Sequence, residues 1–284
     1  MTATRLAARM VEKPWGRRTL WPGFAPPQAG GAPIGEIWFE DPRPGRADPE
    51  LLVKYLFTAE KLSIQVHPDD AMAREMGLPR GKDEAWVVLG ADPHATIGIG
   101  LREVLTEDEL RAAALDGTIE NRLDWRVVAP GDVFYSPAGT IHAIGAGITL
   151  VEIQQNCGTT FRFYDYGSAR ELHLKQAIAA ADRVPYLAPH VGRELGRGRT
   201  LLAEGPAFVL ERWTGEHDLA LAAGAFWLVP LLGAGMIGDE KFEAGGVWFV
   251  EQGGRIIIGE ASDLIIAYPG AEVMSTAPAN PVRI

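Results

Sequence analysis

Short runs rich in Val, Ile, Phe, Trp and Tyr, each closed by Gly, Pro or Asp, recur along the chain and set its fold class. Gly35-Glu-Ile-Trp-Phe39, Leu51-Leu-Val-Lys-Tyr-Leu-Phe57, Glu84-Ala-Trp-Val-Val-Leu89 and Thr149-Leu-Val-Glu-Ile-Gln154 are four of them. Others follow residue 200: Phe208-Val-Leu-Glu-Arg-Trp213, Phe226-Trp-Leu-Val-Pro230, Val247-Trp-Phe-Val-Glu251 and Asp263-Leu-Ile-Ile-Ala267. Helical periodicity is confined to residues 69–76, 106–115 and 172–183. The second of these opens on Thr106 with Glu109 three residues on, a capping box. The third is stopped by Val184-Pro185. Strands do not alternate with long helices, so a doubly wound parallel sheet does not fit. An antiparallel barrel or sandwich does.

The chain has 284 residues, room for one large domain or two moderate ones. Pro185, Pro189 and the glycine- and arginine-rich stretch 192–199 break the pattern. We therefore expect a first domain over residues 1–190 and a smaller β-domain over 191–284. No histidine follows His217, so the second domain is expected to lack a metal set. A net charge of −10 argues against nucleic acid or an anionic membrane surface as the partner. The longest apolar runs are broken by Gly and Pro, and the first ten residues lack a signal-peptide core. Cys157 is the only cysteine, which rules out an internal disulfide and makes a reducing cytoplasm the expected compartment.

Chemistry concentrates in three places. In Leu62-Ser-Ile-Gln-Val-His-Pro-Asp-Asp70, Gln65 and His67 are two apart, so an extended strand points both to one face. Glu84 lies in Gly81-Lys-Asp-Glu-Ala-Trp86, and His142 closes Gly131-Asp-Val-Phe-Tyr-Ser-Pro-Ala-Gly-Thr-Ile-His142. Two imidazoles, a carboxylate and an amide oxygen suit a divalent first-row metal, zinc first among them. His142 alone could equally be a core histidine after a turn; its spacing behind Gly131, Pro137 and Gly139 favours a ligand. Three of the six lysines, Lys54, Lys61 and Lys82, fall in the same region. A basic cluster in an acidic chain suggests an anionic substrate, against the plainer reading of solvated surface lysines. His94 reads as a turn residue, His173 as lying near a helix start, and Cys157 as a buried or idle thiol.

The segment ending at His142 resembles the second motif of the cupin barrels. Lys13-Pro-Trp-Gly16, Gly35-Glu-Ile-Trp38, Gln65-Val-His-Pro-Asp69, Gly81-Lys-Asp-Glu84, Pro137-Ala-Gly-Thr-Ile-His142 and Phe161-Arg-Phe-Tyr-Asp-Tyr166 occur in a matching order. Over residues 10–175 the chain resembles the class I mannose-6-phosphate isomerases in their short bacterial form. That resemblance implies a mainly β, cupin-type antiparallel barrel (a jelly roll) with a few short helices and a second smaller β-domain. It implies one zinc ion per chain on Gln65, His67, Glu84 and His142, and a substrate pocket lined by Lys54, Ser63, Lys82 and Glu152. Arg162 falls at the position of a catalytic arginine. The implied reaction is aldose–ketose isomerisation of mannose 6-phosphate and fructose 6-phosphate through a cis-enediolate, with a small phosphosugar as the partner. Ser168 stands where relatives often carry arginine, with Arg170 two residues on.

Three other readings share these residues: a non-catalytic sugar-phosphate sensor, an isomerase of a different phosphosugar, and an iron oxygenase of the same barrel class. A sensor has no need of a complete Lewis-acid set, and the oxygenase's usual His-x-His pair is Gln65-x-His67 here.

Overall fold

The computed structural model describes residues 3–21, 23–28, 30–188, 192–221 and 224–278. Its architecture is mainly β and cupin-like, built from antiparallel sheets, as expected. Four sheets are stacked. A five-stranded sheet carries Ile64–Val66, Thr96–Leu101, Leu123–Val127, His142–Ile144 and Phe161–Tyr164. It faces a six-stranded sheet containing Ile34–Glu40, Leu51–Phe57, Glu84–Ala91, Val133–Ser136 and Ile148–Gln155. A seven-stranded sheet and a second five-stranded sheet follow, made mostly of residues beyond 192. The strand Ala3–Arg5 is the exception: it pairs with Trp248–Val250 in the seven-stranded sheet. The domain boundary expected near residue 190 touches Pro189, His190 and Val191, which lie outside the described residues.

Each interface between layers has its own apolar cluster. Helices Glu107–Asp116, Ile119–Arg122 and Leu174–Ala180 cover the outer face of the first sheet, with Leu110, Ile119 and Ile178 packed on Ile64, Val66 and Phe163. Trp86, Val88 and Leu150 meet Ile97 and Ile99 between the first two sheets. Val53, Tyr55, Phe57, Val87 and Val151 leave the other face of the six-stranded sheet and pack on Phe208, Leu210, Trp227 and Val229. The Leu51–Phe57 strand is accordingly buried at all seven positions. That explains its unbroken apolar character: alternation is lost when both faces of a strand are covered. Polar side chains in such a strand are costly unless partnered, so Lys54 stands out.

The helical expectations hold with small changes at the ends. The helix expected at 69–76 is Asp70–Glu75, with the Asp69 side chain accepting from the Met72 N–H at 2.8 Å. Thr106 and Glu109 form the capping box, and Gly117 ends that helix in the left-handed conformation. Ile119–Arg122 is an additional single turn. No helix among the described residues is long and apolar enough to cross a membrane.

Candidate metal centre

Two rows of side chains, one from each N-terminal sheet, face each other. On the five-stranded sheet Gln65 is the direct cross-strand partner of both His142 and Arg162. On the six-stranded sheet Gln154 is opposite Glu84, and a second row runs Trp38, Lys54, Glu152, Trp86. His67 follows the short strand Ile64–Val66, where the chain turns into Pro68. The 78–83 loop is pinned to that turn: the Lys82 N–H donates to the Pro68 carbonyl at 3.0 Å, and the Gly81 N–H donates to Asp70 Oδ1 at 2.7 Å. A Cβ on Gly81 would lie 2.5 Å from the Asp69 carbonyl carbon, so only glycine lets the loop come this close.

His67, Glu84 and His142 converge, with one ligand atom from each lying within 4.8 Å of the others, and all three are buried. His67 Nε2 is 3.3 Å from Glu84 Oε1, and His142 Nε2 is 3.5 Å from Glu84 Oε2. Each imidazole donates its Nδ1–H to a backbone carbonyl, His67 to Thr159 at 3.0 Å and His142 to Thr140 at 2.9 Å. A carbonyl can only accept, so the Nε2 lone pairs face the cluster. Burial, with the nearby Lys82 charge, pushes His67 down to about 3, and burial also lowers His142. Both rings are thus neutral at physiological pH, the state in which imidazole binds a metal. Burial acts to raise Glu84, but Lys82 and the two histidines outweigh it and hold the carboxyl well below its usual range.

Glu84 Oε2 is a buried oxygen without a hydrogen-bond partner. An anionic oxygen and two imidazole lone pairs, gathered away from water, fit a divalent cation. Gln65 stands beside them, with its amide nitrogen 3.3 Å from His142 Nε2 and its oxygen accepting from the Ser63 hydroxyl at 3.1 Å. A half-turn of the amide exchanges these atoms and brings the oxygen to the cluster.

The other expected site residues share one cavity of about 420 Å3 with Gln65 and Glu84. Lys54 Nζ is 3.0 Å from Glu152 Oε1, bonds to Gln154 Oε1 and lies 4.7 Å from the Trp38 ring centroid. Trp86 Nε1 donates to Glu152 Oε2 at 3.1 Å. Burial, reinforced by the Glu84 charge, raises the Glu152 carboxyl. Lys82 Nζ is 2.9 Å from Glu84 Oε1; burial opposes its charge, but Glu84 and Glu152 raise it on balance. Arg162 also lines the cavity, and its Nε is buried without a partner.

Several lining residues were not among the expected ones. Glu36 and Trp38 alternate on the strand Ile34–Glu40, with Trp38 Nε1 donating to Glu36. Their period-two placement beside Lys13-Pro-Trp-Gly16 was an available signal. His173 caps the helix Leu174–Ala180 and joins the strand of Arg162: its Nδ1 accepts from the Arg162 N–H at 3.3 Å. Arg170 lines the same end of the cavity, with its guanidinium held by Asp165. Cys157 is buried against the cavity, while His94 is exposed in a turn with φ 65°.

No protein-family model matches the chain. Among curated proteins, mannose-6-phosphate isomerase of Streptococcus mutans is 36% identical, aligned over 65% of this chain and 61% of that protein. Mannose-6-phosphate isomerase ManA of Bacillus subtilis is 43% identical over 45% of this chain and 42% of its own length. The chain thus spans from two fifths to about three fifths of the length of these curated relatives. Among solved structures, mannose 6-phosphate isomerase from Bacillus subtilis superposes with a TM-score of 0.81 at 26% identity, covering 94% of this chain and all of that one. A phosphomannose isomerase mutant from Salmonella typhimurium shares the fold, with a TM-score of 0.73 at 16% identity over 95% of this chain and all of that one.

Proposed function

We propose that this chain is a class I mannose-6-phosphate isomerase, a zinc enzyme that interconverts mannose 6-phosphate and fructose 6-phosphate; the likeness to mannose-6-phosphate isomerases at 36–43% identity supports the reading. One observation carries the reading: Glu84, which converges with His67 and His142, lines a single cavity with Gln65, Lys54, Lys82, Glu152 and Arg162.

In this reading Gln65, His67, Glu84 and His142 hold the zinc ion, which when bound polarises a substrate oxygen as a Lewis acid. The isomerisation moves a proton between C1 and C2 through a cis-enediolate, and negative charge grows on the adjoining oxygen as the proton leaves. Arg162, with an unpaired buried Nε, contributes positive charge and a donor to that oxygen. Lys54, Ser63 and Lys82 supply donors for substrate hydroxyls and phosphate. Glu152 accepts from a substrate hydroxyl. Its raised proton affinity and its place between Lys54 and Trp86 also suit it to exchange a proton with the substrate. The backbone bonds to His67 and His142 keep both imidazoles aimed without further rearrangement. The cytoplasm as the working compartment belongs to the same reading, resting on the single, unpaired cysteine.

The test is a coupled assay of fructose 6-phosphate formation from mannose 6-phosphate, comparing metal-stripped with zinc-restored protein. Turnover that disappears on stripping and returns with zinc is the expected result. Stoichiometric zinc without turnover would transfer the reading to a different phosphosugar or to a sensor.

A further inference from the structure

Adjacent residues on a strand point to opposite faces of the sheet. Glu84 faces the metal cluster from the six-stranded sheet; Asp83, just before it, turns the other way, toward the seven-stranded sheet. There its carboxylate is buried and doubly bonded. Tyr135 Oη donates to Asp83 Oδ2 at 2.7 Å, and the Ala138 N–H donates to Oδ1 at 2.9 Å. Its backbone is tied on both sides to Gln155: the Asp83 N–H donates to Gln155 Oε1 at 2.9 Å, and the Gln155 N–H donates to the Asp83 carbonyl at 2.9 Å. Ala138 belongs to the turn that leads into His142, and the next residue, Gly139, donates its N–H to the His67 carbonyl at 3.0 Å. One carboxylate therefore joins the segment bearing Glu84 to the turn that precedes His142 and touches His67.

Tyr135 is in turn seated on the C-terminal half of the chain. Its ring centroid is 5.0 Å from that of Phe208, and the ring fills the space over Gly205. A Cβ on Gly205 would stand 1.9 Å from Tyr135 Cζ, so the residue is glycine for room. An apolar side chain in place of Asp83 would fill this space without the cost of burying a carboxylate. A buried acid held at four points, one residue from a candidate ligand, points to a role in positioning.

We propose that Tyr135 and Asp83 are positioning residues through which the seven-stranded sheet fixes the metal centre. The Tyr135 hydroxyl, seated on the 205–208 turn, holds Asp83, and Asp83 holds Glu84 and the His142 turn in mutual register. The inference rests on the metal-binding reading above and extends it to the C-terminal third of the chain, which holds no candidate ligand. Outer groups of this kind are worth about 10- to 100-fold in metal affinity at characterised sites.

The experiment compares the parent with Tyr135→Phe, which deletes only the hydroxyl, and Phe208→Leu, which trims the ring packed on Tyr135 and leaves that hydroxyl in place. Zinc affinity is measured by competition with a chromophoric chelator, alongside thermal unfolding of the metal-free proteins. The expected result is a loss of about tenfold or more in zinc affinity for Tyr135→Phe, with a smaller loss for Phe208→Leu even where that variant is the less stable. Parental zinc affinity in Tyr135→Phe overturns the proposal, as does a loss in both variants that tracks their loss of stability. Should Tyr135→Phe fail to fold, Asp83→Asn decides, with parental zinc affinity again the overturning result. A parent that binds no zinc overturns the metal reading and this inference together. A zinc-binding parent with an indifferent Tyr135→Phe overturns this inference alone.

Discussion

Lys54 and Glu152 stand directly opposite each other on neighbouring antiparallel strands, and their side chains meet at 3.0 Å inside the cavity. Both residues are buried, at 7% and 5% exposure, so each charge depends on the other. Removing one partner of such a pair leaves an uncompensated buried charge and costs about 3–5 kcal/mol. Lys54→Met should lose that much in urea unfolding. The Lys54→Met/Glu152→Gln double variant should recover most of it, because the stranded carboxylate is gone. Additive losses would mean that the two side chains do not depend on one another.

Arg162→Ala separates binding from chemistry. Its guanidinium makes no hydrogen bond to a candidate ligand among the described residues, so zinc content should stay at the parental level. The maximal rate should fall by about 10²- to 10³-fold, the usual cost of deleting a donor to a developing oxyanion. A parental kcat would remove Arg162 from the reaction.

Gly81→Ala puts a Cβ 2.5 Å from the Asp69 carbonyl carbon and 2.7 Å from the Asp70 nitrogen. Both are backbone atoms with no room to yield, so the loop carrying Lys82 must lift. A stability loss of about 1–3 kcal/mol, as for an overpacked core, is expected together with lowered metal occupancy. Thermal unfolding and metal analysis of the purified variant check both.

Metal removal should be visible as stability. With free zinc at a hundred times its dissociation constant, binding adds about 2.7 kcal/mol, or about 5–10 °C in unfolding temperature for a chain of this class. A chelator should abolish that shift in the parent. His142→Ala should show no shift with or without chelator and no turnover. A zinc-dependent shift in His142→Ala would show that His142 is not a ligand.

The sequence pattern around Gln65, His67, Glu84 and His142 was legible because each residue carries an improbable group for its setting. Lys54 and Glu152 were assigned to the pocket through the resemblance to a known family, and each is the one charge in a largely apolar run. The helices could be read from capping chemistry, since Thr106 and Glu109 act within a few residues of one another. The single turn Ile119–Arg122 was too short to show a period. Tyr135 and Gly205 could not be paired from sequence. One looks like an ordinary strand aromatic and the other like an ordinary turn glycine, and 70 positions separate them by numbering. Only the stacking of the sheets makes them neighbours.

The strand Leu51–Phe57 has consequences for how this protein tolerates change. Its even positions Leu52, Lys54 and Leu56 line the cavity, and its odd positions Leu51, Val53, Tyr55 and Phe57 lie in the cluster shared with the strands beyond residue 192. An ordinary surface strand has one column of side chains free to drift; this one has none. Substitutions there must satisfy either the chemistry or the joint between the two halves, and the two demands alternate residue by residue. Saturation mutagenesis along these seven positions should therefore return two interleaved phenotypes, lost turnover at one residue and lost folding at the next.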